Sequence, residues 1–141
     1  CGAMLMLKGL KGRRAVVLLS DGRDEDNPGT GPGSIRSWDS VLRLLQDQEV
    51  TMFPVGLGTR IDPDRLNLLA TFSGGEAYFP QDVSELAAQF DRVIENLRHR
   101  YLVGYTSSNH SRDGKWRSVE IRTRTPEIRI TSRKGYFAPA R

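Results

Sequence analysis

The sequence predicts an α/β fold: a parallel sheet with flanking helices, continued at its carboxyl end by an antiparallel β-meander. Three observations predict it. Ala15 to Leu19 is an apolar run without polar alternation, the pattern of a strand buried on both faces. Thr51 to Gly58 is a second apolar strand, ending in glycines. Between and after them lie segments of helical period, and strand–helix–strand–helix order implies parallel pairing through right-handed crossovers.

The first strand ends in Ser20, Asp21 and Gly22. Open α/β folds bind ligands outside the carboxyl ends of their strands, so Asp21 is a candidate ligand or metal residue. A strand that ends in Asp-Gly also fits a plain turn, because glycine lets the backbone reverse without a Cβ clash. Ahead of it, residues 1–10 are apolar and small, like the end of a helix begun upstream, and Gly9 and Gly12 lead into the strand. Ser34 to Leu45 places Ile35, Trp38, Val41, Leu42 and Leu45 on one helical face. Asp62-Pro63 reads as an N-cap with proline at the first helical position, opening a helix through Leu66, Leu69 and Ala70 that stops near Gly74-Gly75. Glu76 to Phe79 is a short third strand. Asp82 and Glu85 have capping-box spacing ahead of a helix carrying Leu86, Phe90, Val93, Ile94 and Leu97 on its inner face. Tyr101 to Tyr105 returns as a strand.

Residues 111–115 are a turn signal between that strand and a further one over Arg117 to Thr125. Apolar positions are odd before Pro126 (Val119, Ile121) and even after it (Ile128, Ile130), so proline marks a tight turn or bulge. This meander is expected to shield the edge of the α/β sheet, with a binding role as the alternative.

Several of these segments resemble a known family. Val16-Val-Leu-Leu-Ser-Asp-Gly22, Phe53-Pro-Val-Gly-Leu-Gly58, Leu66-Asn-Leu-Leu-Ala70 with Gly74-Gly75, and Tyr78-Phe79 look like the second half of a von Willebrand factor type A (VWA) domain. Tyr101-Leu-Val-Gly-Tyr105, Asp113-Gly-Lys-Trp116 and Arg133-Lys-Gly-Tyr-Phe-Ala-Pro139 are similar to a bacterial, mostly exported subgroup of VWA-related proteins. The resemblance implies a Rossmann-like sheet, with residues 1–106 the carboxyl-terminal half of the domain and residues 107–141 its β-hairpin or meander extension. It implies an exported, extracellular or periplasmic protein, and a native chain that continues upstream. The Ala15–Ser20 strand would otherwise be an open edge, available for self-association, unless another chain supplies the missing half.

In that family a divalent cation sits on the upper edge of the sheet, held by an Asp-x-Ser-x-Ser loop, a Thr from a second loop and an Asp from a third. Asp21 matches the third. No Asp-x-Ser-x-Ser occurs here; Asp82-Val-Ser-Glu-Leu86 lacks the second serine. Magnesium requires near-octahedral oxygen coordination, so Mg²⁺ or Mn²⁺ is expected only in a longer protein and weakly or not at all in this chain. The ligand-contact surface implied with it comprises Ser20, Gly22, Arg23, Asp24, Asp26, Gly58, Thr59 and Arg60. Arg23 and Arg60 would add positive field for an acidic side chain of a partner protein, or else pair with Asp24, Asp26 or Asp62.

Two functional classes follow. One is a non-enzymatic protein-binding or adhesion-type module. The other is an α/β enzyme, hydrolase-like or flavodoxin-like, using Asp21 as a catalytic or metal-binding carboxylate. No nucleophile pattern favours the second, and Gly56-Leu-Gly-Thr-Arg60 lacks the Gly-Lys-Ser/Thr ending of a phosphate loop. His99 and His110 read as helix-end or loop residues. The acidic run Asp24, Glu25, Asp26 and Asn27 clusters oxygens that suit calcium, but without EF-hand spacing, and a plain solvated loop fits equally.

The 141 residues suffice for one domain with a core. No stretch approaches the ~18 apolar residues of a membrane span. The single Cys1 gives neither an internal disulfide nor zinc spacing. Net charge is +4, with residues 24–96 at −8 and residues 97–141 at +8. In the basic tail Arg122, Arg124, Arg129 and Arg133 alternate with Ile121, Thr123, Ile128 and Ile130, the pattern of a solvated strand face. With Tyr136 and Phe137 as the only nearby aromatics, nucleic acid is not the expected partner.

Overall fold

The computed structural model describes residues 6–7, 12–25 and 30–140. Strand β1 (Arg14–Ser20) pairs in parallel with β2 (Val50–Gly56), register running from Arg14↔Val50 to Ser20↔Gly56. Helix α1 (Trp38–Asp47) connects them, α2 (Pro63–Ser73) follows β2, and α3 (Leu86–Arg98) follows a 3₁₀ turn at Val83–Glu85. Tyr78 forms a parallel bridge with Val55 on the other side of β2. Of the expected third strand, this single bridge is what forms. The fold is thus mixed α/β with a small parallel sheet.

Parity along the strands separates two apolar clusters. Val16, Leu18, Val50 and Met52 pack with Leu42, Leu45 and Leu69 of α1 and α2. Ala15, Val17, Phe53 and Val55 pack with Tyr78 and with Leu86, Val93 and Leu97 of α3. Side chains alternate across a strand, so helices cover both faces. Burial corrects the reading of β1. It is β2 that is buried along its whole length, whereas β1 is only half-buried and Leu19 is 48% exposed. The reason is position: β2 has neighbours on both sides, and β1 has one among the described residues.

Pro54 sits in this central strand without leaving an orphan donor. Met52, Pro54 and Gly56 turn their backbone groups toward the Tyr78 side. Gly56 N–H donates to the Tyr78 carbonyl (2.8 Å), Tyr78 N–H donates to the Pro54 carbonyl (2.8 Å), and Met52 N–H donates to Ser73 Oγ (2.8 Å). Proline lacks an N–H at the one position of this edge where no acceptor is needed.

The ends of α2 follow the sequence, whereas α1 begins later than expected. Ser37 Oγ accepts from Ser40 N–H at the start of α1, and Asp62 Oδ1 accepts from Arg65 N–H with Pro63 in the first turn of α2. Gly74, at φ 77°, closes α2 in the left-handed conformation. Ile35 lies outside α1 and is fully exposed, because the cap falls at Ser37. Before α3, Asp82 Oδ1 accepts from Ser84 N–H while Glu85 reaches back to Gln81 N–H rather than to Asp82. On α3, Val93 is buried and Leu86 and Leu97 are half-buried, but Phe90 and Ile94 remain 38% and 45% exposed.

The carboxyl-terminal region departs most from expectation. Tyr101 to Tyr105 is not a strand; its large side chains are exposed, Leu102 at 97%. The expected strand over Arg117 to Thr125 shrinks to β3 (Trp116–Ser118), which pairs antiparallel with β4 (Gly135–Phe137). This second sheet is separate, so no meander continues from the parallel one. Aromatic packing decides the pairing: Trp116 stacks on Phe72 of α2 at 4.9 Å and meets Phe137 edge-on at 5.1 Å. Gln46 of α1 then holds β4 at both ends, donating to the Gly135 carbonyl (3.0 Å) and accepting from Phe137 N–H (3.3 Å). Pro126 lies in a turn closed by Ile128 N–H to the Thr125 carbonyl, as its break in periodicity predicts.

Candidate functional site

Ser20 is the last residue of β1, and its carbonyl accepts from Leu57 N–H (3.1 Å) just beyond β2. Its hydroxyl accepts from Gly22 N–H (3.0 Å), and Asp21 Oδ1 accepts from Arg23 N–H (3.1 Å). The two loops of the carboxyl edge are joined by one backbone bond, from Asp62 N–H to the Asp21 carbonyl (2.7 Å). Gly22 lies against the start of α2 at φ 79°. A Cβ there would come within 2.7 Å of the Asp62 carbonyl and 2.9 Å of Leu66 Cγ, so glycine is required on two counts.

The edge therefore gathers Ser20, Asp21, Gly22 and Arg23 with the loop carrying Gly58, Thr59 and Arg60. Asp21, Gly58, Thr59 and Arg60 are exposed, and Asp24 is half-buried. Asp26 lies outside the described residues, as do Asn27 of the acidic run and Cys1. Arg23 pairs with Glu25, not with Asp24 or Asp62. Asp62 is taken by Arg65 (3.4 Å). Arg60 has no ion pair among the described residues and is the free cation of this edge.

Among the described residues, the oxygens of this edge are few. Asp21 offers one carboxylate, one oxygen of which already accepts from Arg23 N–H. No three His, Cys, Asp or Glu side chains converge among the described residues. Calorimetric titration of this chain with Mn²⁺ is accordingly expected to yield no 1:1 site of micromolar affinity. Such a site, abolished by Asp21→Ala, would overturn that assessment.

A second polar cluster went unread in the sequence. Glu76 Oε2 accepts from Tyr78 Oη and Asn96 Nδ2, both at 3.4 Å, and Arg129 lies 3.5 Å from Glu76 Oε1. It borders a broad open depression of about 840 Å³ between the Tyr78 segment and α3. Burial, reinforced by the Glu76 charge, pushes the Tyr78 phenol above its ordinary value. No spacing links Glu76, Asn96 and Arg129, so no sequence signal could have found them. His99 caps the end of α3, its Nδ1 3.1 Å from the Glu95 carbonyl.

No family model matches the chain, and no curated protein matches it. Among solved structures it is similar to the crystal structure of an uncharacterized membrane spanning protein from Vibrio fischeri, at 23% identity and a TM-score of 0.50. The similarity covers 62% of this chain and 48% of that one, so the chain spans about half the length of that structure. At this identity the likeness is one of fold. It corrects the expectation of an exported, extracellular or periplasmic protein, since the similar structure is of a protein described as membrane spanning. Among the described residues no helix is long and apolar enough to cross a membrane.

Proposed function

We propose that this chain is part of a non-enzymatic protein-binding module of the von Willebrand factor type A kind, engaging its partner at the carboxyl edge of the β1–β2 sheet. In this reading β1, β2 and the Tyr78 segment are three adjacent strands of a Rossmann-like sheet. The observation that carries the proposal is the 2.7 Å bond from Asp62 N–H to the Asp21 carbonyl. It fastens the loops after β1 and β2 together and leaves Asp21 and Arg60 exposed on one surface.

The electrostatics favour a partner that brings an acidic side chain. Arg23 and Asp62 are neutralised locally, and among the described residues the Arg60 guanidinium stays unpaired beside the Asp21 carboxylate. An exposed cation of this kind steers a carboxylate during encounter and adds to specificity. A Mg²⁺ or Mn²⁺ ion enters the reading only through ligands other than the described residues. Among the described residues the outer edge of β1 (Ala15–Ser20) has no paired strand, and in this reading it is a second docking element for a strand from elsewhere or from a second copy.

An immobilised glutamate-rich peptide serves as the probe. Arg60→Glu is expected to weaken its binding about tenfold at low salt while the thermal midpoint stays within error. Arg124→Glu, on the exposed carboxyl-terminal segment, should weaken it far less. If both reversals weaken binding equally, the effect is one of net charge and the assigned surface is wrong.

A further inference from the structure

We infer that the opposite, amino-terminal edge of the sheet is an anion-binding site, formed by Arg13, Arg14, Arg100 and Arg133, for a phosphate-bearing ligand. The inference is independent of the carboxyl-edge reading. The four residues come from three distant parts of the sequence. Arg13 and Arg14 open β1, Arg100 follows α3, and Arg133 precedes β4. The fold brings them to one place because β1 and β2 both begin there, while α2 and α3 run back and end there.

The contacts fix this arrangement. Arg13 donates to the Arg100 carbonyl (3.0 Å). Arg100 donates to Thr51 Oγ1 (2.7 Å) and to the Gly74 carbonyl (2.5 Å), which holds its guanidinium across the start of β2. Arg133 lies directly over Gly74, whose added Cβ would come within 3.0 Å of both Arg133 N and Cγ. Arg14 reaches Glu49 at 3.8 Å. Glu49 is the carboxylate that Arg14 and Arg133 share, and its own side chain is three-quarters exposed.

Among the described residues, four cations against one solvated carboxylate is an unbalanced arrangement. Among the described residues Arg14 Nε is buried with no hydrogen-bond partner. A guanidinium has five N–H donors and no acceptor, so Arg14 is short of an acceptor as the group is short of negative charge. Burial, together with neighbouring Arg133 and Arg13, pushes the Arg100 guanidinium below its ordinary value. Burial first, and then Arg14, does the same to Arg133 against the pull of Glu49. Proteins keep such strained charge where a ligand relieves it. A phosphate group supplies up to two charges and several acceptor oxygens in the geometry that paired guanidiniums match. A single carboxylate would leave more of the excess uncompensated.

The test is thermal unfolding of the protein in sodium phosphate and in sodium chloride of equal ionic strength. Phosphate is expected to raise the midpoint progressively with concentration, as a ligand specific for the native state must. Arg133→Gln should raise the midpoint in the absence of phosphate, by removing repulsion, and should weaken the phosphate response roughly tenfold. Arg13→Gln, which leaves the Arg100 contacts with Thr51 and Gly74 intact, should weaken it likewise. Arg112→Gln, on an exposed loop, should change neither. Vesicles of phosphatidylglycerol and of phosphatidylcholine separate the sources. Response to free phosphate supports a small phosphorylated ligand, and binding to phosphatidylglycerol vesicles alone, lost in Arg133→Gln, supports a lipid headgroup. An equal midpoint in phosphate and chloride with no vesicle binding overturns the inference, as does an undiminished response in both arginine variants.

Discussion

Gly75→Ala is expected to cost more than about 4 kcal/mol, enough to unfold most single domains outright. Gly75 follows the left-handed C-cap of α2, and its N–H donates to the Ala70 carbonyl (2.8 Å). Its Cα faces the backbone of β2. An added Cβ would overlap the Met52 carbonyl oxygen and lie 2.9 Å from the Met52 carbonyl carbon and 3.1 Å from Thr51 Cγ2. Most of these obstructing atoms are backbone in the most buried strand of the protein, so no rotamer change relieves the overlap. Either α2 separates from β2 or the strand bends, and both would break the bond from Met52 N–H to Ser73 Oγ. Gly104→Ala is the matched control, since a Cβ there meets nothing within 4 Å. Circular dichroism melts of the two variants decide it, and equal midpoints would refute the close-packing argument.

Phe53→Ala is expected to cost about 3–5 kcal/mol. Phe53 is fully buried in β2, at the centre of the cluster with Val55, Tyr78 and Val93. Removing the ring leaves a cavity beneath α3 that neighbours on the rigid sheet cannot fill. The Arg100 guanidinium, 6.0 Å from the ring centroid, loses its aromatic face as well. Urea unfolding should show a lowered midpoint with an unchanged slope, the signature of lost stability without a change in native compactness. Phe90→Ala, at a position 38% exposed on α3, should cost no more than about half as much. Equal losses in the two variants would mean that Phe53 is not the centre of this cluster.

What was legible in the sequence is what neighbouring residues settle among themselves. Asp62 and Gly74 end α2 because a cap is a bond or a backbone angle within a few residues. Two apolar runs separated by a helix became a parallel pair because the connection permits little else. The Ser20–Gly22 turn was legible too, since Asp21 and Gly22 are adjacent turn-formers. Its attachment to Asp62 was not, because that bond spans a whole strand and helix.

The carboxyl-terminal region shows the opposite case. Ile121, Ile128 and Ile130 alternate with arginines as strand residues do, yet they remain exposed and outside any strand. A strand forms where a partner edge and an apolar surface coincide, and here that place is set by Trp116 and Phe137 against Phe72.

The sequence by itself determined the α/β class, the ends of α2 and the carboxylate at the end of β1, since each follows from periodicity or from bonds between near neighbours. Only the tertiary structure decided which strand is central, which segments of the tail pair, and that Arg13, Arg14, Arg100 and Arg133 meet. Those outcomes depend on burial and charge shared between residues far apart in the chain, and no local pattern encodes them.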